Sequence, residues 1–172
     1  LFLLLVTIAV VPNIFAQNCK YNINKTEGMS GEIHKAIFVR LLYNPLMDRQ
    51  WHLTLEKLGN NYFLSNNIVL ESHFDEALQK GDSLMLKLES GKIITCYARS
   101  TVQPKKSGSG TSSQQPITEY SSTYPITADL FSLLASQKCS LIEVNIGPLK
   151  YNYEIKDKTS KMIQTSASCI MQ

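Results

Sequence analysis

The chain has 172 residues, of which 44% are hydrophobic and 18% are charged, and its formal net charge is +3 at pH 7. This length and apolar content fit one globular domain with a core of its own. The charge is too small to favour a nucleic-acid partner, which requires a basic stripe with interleaved aromatic residues. We therefore expect a globular protein that does not bind nucleic acid.

The first segment, residues 1–16, is uncharged and apolar and has the sequence LFLLLVTIAVVPNIFA. Pro12 interrupts the run, and Ala16 is the small residue typical of the position before a signal cleavage site. Because a membrane-spanning helix needs roughly 20 apolar residues, the segment predicts a cleaved signal peptide over 1–16. Residues 17–172 would then form a single exported β-rich domain, periplasmic or secreted, with no stable membrane span.

Two alternatives remain open for this segment. The first is an uncleaved membrane anchor, and the second is lipidation at Cys19, which lies close behind the apolar run. Asn18 stands where a lipoprotein signal carries a small residue, which disfavours lipidation. The run lacks the basic residues and starting Met that open a signal peptide, so we expect a few residues to be missing upstream.

The cysteine pattern of the exported part favours disulfide chemistry. An even number of cysteines in an exported protein indicates disulfides, and their wide spacing matches neither a zinc site nor a thioredoxin-like CxxC motif. The cysteines are Cys19, Cys96, Cys139 and Cys169. We expect at least one disulfide, joining Cys19 to Cys139 or to Cys169. The alternative is that the cysteines, Cys96 in mid-strand among them, are buried thiols.

Period-two alternation of apolar and polar residues predicts strands along most of the mature chain. The predicted strand segments are residues 33–43, 51–55, 62–64, 66–70, 83–88, 93–98, 117–124, 142–146 and 149–156. Turn clusters at residues 59–61 and 90–91 predict two hairpins. Residues 73–80 predict a short helical turn closed by Gly81. Residues 103–116, rich in Ser, Gly and Gln, predict a flexible insertion loop.

Helix signals appear at two places in the C-terminal third. Thr127 is a good N-cap, and Asp129 lies in the first turn that follows it. Ile126 and Phe131 have the spacing of a hydrophobic staple, so a short helix is predicted from about residue 127. A C-terminal helix is predicted over 157–171. Its expected buried side consists of Met162, Ile163, Ala167 and Ile170.

Together these elements predict an α+β domain built on an antiparallel sheet that is sandwich-like or curved. The short helix and the C-terminal helix are expected to pack on that sheet. Phe131 and Tyr153 are expected to be core residues, since each lies on the apolar side of its element.

The order of these elements supports a resemblance to a known group of proteins. An exported leader, a cysteine-containing first strand, two hairpins, and a closing strand pair before a cysteine-containing C-terminal helix resemble uncharacterised small exported β-rich proteins of Bacteroidetes-type bacteria. The local motif is Tyr124-Pro125-Ile126-Thr127, followed by Leu130, Leu133 and Leu134. Helix capping explains this motif, and the group has no established activity, so no function follows from the resemblance.

The three histidines are the main candidates for chemistry. No HExxH metal motif and no GxSxG elbow occurs in the sequence. His34 and His52 fall on the polar side of predicted strands, where they could share a sheet face and bind a metal weakly, or stay solvated. His73 precedes Asp75 and Glu76, an arrangement that suits a general base, although acidic residues in the first turn of a helix explain it more simply.

The sequence leaves two function hypotheses of different classes. The first is an exported, non-catalytic β-rich module that binds a protein, peptide or glycan, or has a structural role in the envelope. The second is a small exported hydrolase that uses His73 or the face shared by His34 and His52. We favour the first, with no catalytic, metal-binding or cofactor-binding residue and no cofactor.

Overall fold

In a computed structural model, the described residues are 19–28, 30–44, 49–108 and 116–172. They form ten strands and two helices. The expected signal peptide, residues 1–16, lies outside the described residues.

The larger of two sheets has six strands, each antiparallel to its neighbours. These strands are β1 (Ile23–Thr26), β2 (Ile33–Asn44), β3 (Arg49–Leu58), β4 (Asn61–Glu71), β7 (Lys105–Ser107) and β8 (Ile117–Ile126). They lie in the order β1-β2-β3-β4-β8-β7. The first four follow one another along the chain, whereas β8 joins β4 from a later segment.

The smaller sheet has four antiparallel strands. They are β5 (Ser83–Leu88), β6 (Ile93–Tyr97), β9 (Cys139–Ile146) and β10 (Leu149–Glu154). Their order is β10-β9-β5-β6, which places β10 and β6 at the two edges.

Alternation of side chains fixes which face of each strand is buried. Leu55 of β3 lies opposite Leu64 of β4, and both are fully buried. The β3–β4 hairpin turns at Gly59, whose φ of +57° suits a residue without a Cβ. A bulge between Arg40 and Leu42 bends β2. A one-residue slip would move these leucines to the solvent, so burial holds the register.

Both expected helices are present: α1 (Ala128–Ser136) and α2 (Asp157–Met171). The Thr127 hydroxyl accepts from the backbone N–H of Leu130, which confirms the N-cap. The helices pack on each other, and α2 lies against β2, β3 and β9. One part of the prediction for α2 is wrong. Met162 is 44% exposed, because the buried face of the helix includes Ser166 and Cys169 rather than Met162.

One hydrophobic core unites residues of both sheets and both helices. Its largest fully buried side chains include Tyr120, Tyr124 and Phe131. The expected α+β class, with an antiparallel sheet and two packed helices, is confirmed.

One expectation about a loop is wrong, and a short part of another loop forms a strand. Residues 73–80 form no helical turn, because Leu78 forms an extended bridge with Val102 that pairs both backbones and buries the leucine side chain. Within the expected loop 103–116, β7 pairs with β8, whose edge supplies backbone partners that sequence composition does not reveal. Residues 109–115 of that loop lie outside the described residues.

A disulfide ties the N-terminal segment to α2. Cys19 and Cys169 are bonded across a sequence separation of 150 residues, which is one of the two pairings left open by the sequence. The Tyr21 hydroxyl adds a hydrogen bond of 2.8 Å to the carbonyl oxygen of Cys169. Cys96 and Cys139 are free thiols, and both are buried.

Candidate functional site

His34 lies between two carboxylates on the outer face of the larger sheet. Its Nδ1 is 3.1 Å from Glu27 Oε1, and its Nε2 is 2.6 Å from Glu56 Oε1. Lys25 and His34 lower the pKa of Glu27 by hydrogen bonding to its carboxylate. Because each ring nitrogen already contacts an acid, neither is positioned to accept a proton from a substrate.

His52 lies on the same face of the sheet as His34, as the strand alternation predicted, but beside different residues. Its ring packs edge-on against Phe38 with the centroids 4.6 Å apart. Burial, and then the charge of Arg40, lower the pKa of His52. The two histidines therefore have separate surroundings, one with carboxylates and one with an aromatic ring and a cation.

His73 does not form the histidine–carboxylate pair that general-base chemistry needs. Its Nε2 is 3.2 Å from the backbone carbonyl oxygen of Ser107. The Asp75 carboxylate instead forms an ion pair with Lys106, whose hydrogen bond lowers the pKa of Asp75. Among the described residues, no group of three or more His, Cys, Asp and Glu side chains is placed to hold a metal ion.

The two free cysteines are poor nucleophiles. Burial raises the pKa of Cys96 to about 11 and, with Glu89 adding a smaller effect, that of Cys139 to about 12. A thiolate is the reactive form of cysteine, and it is scarce at neutral pH when the pKa is this high. These thiols behave as small apolar core residues.

A concavity that we call the aromatic cleft lies between the two sheets, where the end of β4 meets β10. Its volume is about 410 Å³, within the roughly 300–1,000 Å³ typical of small-molecule sites. It is lined by Leu42, Gln50, Trp51, Ile68, Val69, Leu70, Glu71, Ser72, Phe74, Tyr151, Asn152 and Tyr153. Strands of the larger sheet supply one wall, and the edge strand β10 supplies the other.

Aromatic side chains from the two walls face one another across the cleft. The ring centroids of Trp51 and Tyr153 are 6.4 Å apart, and those of Phe74 and Tyr151 are 6.2 Å apart. Trp51 is buried, and its Nε1 donates to Asn66 Oδ1 at 2.5 Å, which fixes the indole. The other three rings are half-buried, so their remaining surface is open to a ligand.

A strained turn holds Phe74 at the cleft. Ser72 has a φ of +88°, in the left-handed region, where a residue with a Cβ loses roughly 1–2 kcal/mol. The buried Thr118 hydroxyl donates to the Ser72 carbonyl at 2.8 Å and accepts from the Phe74 N–H at 3.0 Å. Such strain persists only where surrounding contacts enforce it, and here Thr118 enforces it beside the cleft.

The polar groups of the cleft include two amides, two phenols, the Ser72 hydroxyl and one carboxylate. Gln50 and Asn152 supply the amides, and Glu71 supplies the carboxylate. Burial, and then the negative charge of Glu76, raise the pKa of Tyr151, so its hydroxyl stays protonated at neutral pH. The cleft residues that the structure describes include no Lys, Arg or His.

Sequence reasoning missed this site. The alternation of β10 places Tyr151 and Tyr153 on one side of the strand, as expected, but Tyr153 is half-buried at the cleft rather than part of the fully buried core. The correction follows from the position of β10 at a sheet edge, where one flank stays open. Two tyrosines on one side of an edge strand were the available signal.

No described helix is long and apolar enough to cross a membrane. In comparisons with known proteins, no family model, no curated protein and no solved structure matches the chain.

Proposed function

We propose that the protein is a non-catalytic module that binds a neutral glycan in the aromatic cleft. The observation that carries the proposal is the meeting of Phe74, Tyr151 and Tyr153 in an open cleft between the sheets. A sugar ring packs its C–H face on an aromatic ring and bonds its hydroxyls to polar groups at the rim. Gln50 and Asn152 offer both donors and acceptors for those hydroxyls.

The charge of the cleft supports a neutral ligand. Glu71 is the charged member of the described lining, and Glu76 is near enough to raise the pKa of Tyr151. Phosphate and carboxylate ligands are usually held by Arg or Lys. The described lining of the cleft contributes neither residue.

Binding without cleavage has more support than hydrolysis. Glycoside hydrolysis uses a pair of carboxyl groups, roughly 5–10 Å apart, on opposite sides of the bond that is cut. The described lining contributes one carboxylate, Glu71, and no histidine or cysteine. The hydrolase alternative would have to use His73, or the face of His34 and His52, and none of these residues lines the cleft.

The module is proposed to act after export, in the periplasm or outside the cell. The Cys19–Cys169 disulfide supports this location, because such bonds persist in oxidising compartments. The apolar segment 1–16 supports it as well. Intact mass of protein recovered from an export-competent host is expected to match cleavage after Ala16. A mass that includes residues 1–16, or a lipid on Cys19, would contradict cleavage by a signal peptidase at that position.

Calorimetric titration with a panel of neutral oligosaccharides tests the glycan proposal. We expect at least one member to bind the wild-type protein. Phe74→Ala is expected to weaken that binding by about fivefold, because one aromatic contact is worth about 1 kcal/mol. Tyr97→Ala is the matched control, since Tyr97 is a 61% exposed aromatic residue on β6, outside the cleft.

Two outcomes would contradict the glycan proposal. One is the absence of binding across the panel. The other is binding of extended peptides instead of sugars, which would indicate that β10 accepts a further strand at its free edge. A loss of binding in Tyr97→Ala equal to that in Phe74→Ala would place the ligand outside the aromatic cleft.

A further inference from the structure

A second concavity, which we call the lysine groove, lies between the N-terminal segment, β2 and α2. Its volume is about 540 Å³. Its lining includes Lys20, Ile37, Phe38, Lys158, Lys161 and Met162. The Cys19–Cys169 disulfide closes one side of the groove, so the N-terminal segment and α2 are held together there.

The rim of the lysine groove is basic. Lys20, Lys158 and Lys161 form no ion pair with any acidic side chain that the structure describes. Asp157, the nearby acid on α2, forms its ion pair with Lys138, and its charge also interacts with that of Lys161. Three ammonium groups therefore surround a groove whose described lining holds no carboxylate.

Exposed apolar side chains border the lysine groove. Phe38, on the outer face of β2 beside His52, is 39% exposed, and Met162 on α2 is 44% exposed. Ile37, the neighbour of Phe38 on β2, points to the opposite face and is buried. Lys158 and Met162 are four residues apart on α2, so they lie on one face of the helix. Large apolar side chains framed by lysines are typical of helices that rest in a membrane interface.

We propose that the lysine groove docks on an anionic lipid bilayer, with Phe38 and Met162 entering the interface and the lysines contacting headgroups. Charge complementarity favours an anionic partner, and the exposed side chains of Phe38 and Met162 favour a bilayer over a free anion.

Co-sedimentation with vesicles tests the proposal. The protein is recovered from an export-competent host, so that every variant carries the same processed N-terminus. We expect binding to phosphatidylglycerol vesicles that weakens with added salt, and little binding to pure phosphatidylcholine vesicles. Lys158→Gln with Lys161→Gln is expected to weaken binding by about 25-fold, at about fivefold for each lysine.

Matched variants separate the groove from general charge. Lys87→Gln with Lys92→Gln removes two exposed lysines of the smaller sheet and its turn, and should leave vesicle binding unchanged. Met162→Gln should weaken binding, whereas Ile93→Gln, at a 55% exposed residue of β6, should not.

Three results would overturn the bilayer proposal. One is equal loss of binding in the groove variants and their controls. Another is binding to phosphatidylglycerol that is unchanged in Met162→Gln, since the exposed apolar side chain would then play no part. The last is full competition by inorganic phosphate at constant ionic strength, which would identify the groove as a site for a free anion.

Discussion

Thr118 shows how one buried hydroxyl positions a ligand-facing aromatic ring. Its hydroxyl bonds both to the Ser72 carbonyl and to the Phe74 N–H. These two bonds hold Ser72 in its left-handed conformation in the turn that follows β4. Removal of a buried partner leaves the groups that it satisfied without hydrogen bonds, which costs more than the net value of the bond. Thr118 is thus a positioning residue for the cleft.

Thr118→Val is expected to lower the free energy of unfolding by about 2 kcal/mol, because two backbone groups lose their partner. It should also weaken binding in the aromatic cleft, since Phe74 would no longer be fixed. Urea unfolding and calorimetry measure the two effects. Ser65→Ala is a control, because Ser65 bonds to Thr123 on the half-buried outer part of the sheet. Unchanged stability and binding in Thr118→Val would remove its positioning role.

Phe131 and Tyr153 should differ in their contribution to stability, although both were expected in the core. Phe131 is fully buried on α1, and its loss should lower the free energy of unfolding by about 3 kcal/mol or more. Tyr153 is half-buried at the cleft, so Tyr153→Ala should cost clearly less. Denaturant unfolding of the two variants measures the difference. Equal costs would contradict the placement of Tyr153 at a cleft wall.

The buried thiols predict how many cysteines an alkylating reagent labels in the native, the denatured and the denatured and reduced protein. Cys96 and Cys139, with pKa values raised to about 11 and about 12, should resist iodoacetamide in the folded protein at pH 8. Denaturation without reductant should expose two thiols, and denaturation with reductant should expose four. Mass spectrometry counts the labels. Rapid labelling of the native protein would show that either thiol is accessible.

At the scale of elements, the disulfide between the N-terminal segment and α2 is the main covalent constraint in the described chain. A cross-link that closes a loop of this length stabilises a protein by about 3–5 kcal/mol in chain-entropy terms. Cys19→Ser with Cys169→Ser should lower the melting temperature accordingly. Tyr21→Phe is the control, because it removes only the hydrogen bond to the Cys169 carbonyl. A melting temperature that matches the wild type would show that noncovalent packing alone holds the segment.

The elements that could be predicted from sequence are those whose signals are local. The α1 cap at Thr127 and the alternation along β10 depend on neighbouring residues, and both are present in the structure. By contrast, β1 and β7 are short, exposed edge strands without apolar alternation, and only their pairing with β2 and β8 defines them. The prediction of a helical turn over 73–80 was wrong for the same reason, since Leu78 pairs with Val102, which is distant in sequence.

At the scale of the whole molecule, the aromatic cleft arises from strand order. Trp51, Phe74 and Tyr151 belong to three separate parts of the chain, and they meet because β10 forms the edge of the smaller sheet beside the end of β4. No local pattern encodes such a meeting. The lysine groove likewise depends on a disulfide that brings the two ends of the described chain together.

The two proposed surfaces are different in character. The aromatic cleft has amides and a carboxylate in its described lining, whereas the lysine groove has three lysines and exposed apolar side chains. If the lysine groove docks on a bilayer, the aromatic cleft should stay accessible, and lipid should not change its affinity for a glycan. Glycan binding should therefore be the same with and without phosphatidylglycerol vesicles, which equilibrium dialysis with a labelled oligosaccharide measures. A strong lipid dependence would indicate that the two surfaces are coupled.

The most direct test of the central claim uses Trp51, the single tryptophan of the sequence and part of the cleft floor. Fluorescence of Trp51 is followed while the best oligosaccharide from the calorimetric panel is added. We predict a saturable change in emission with the same Kd as calorimetry, weakened about fivefold in Phe74→Ala. Calorimetric saturation with no change in Trp51 emission would place the ligand elsewhere and contradict the assignment of the aromatic cleft.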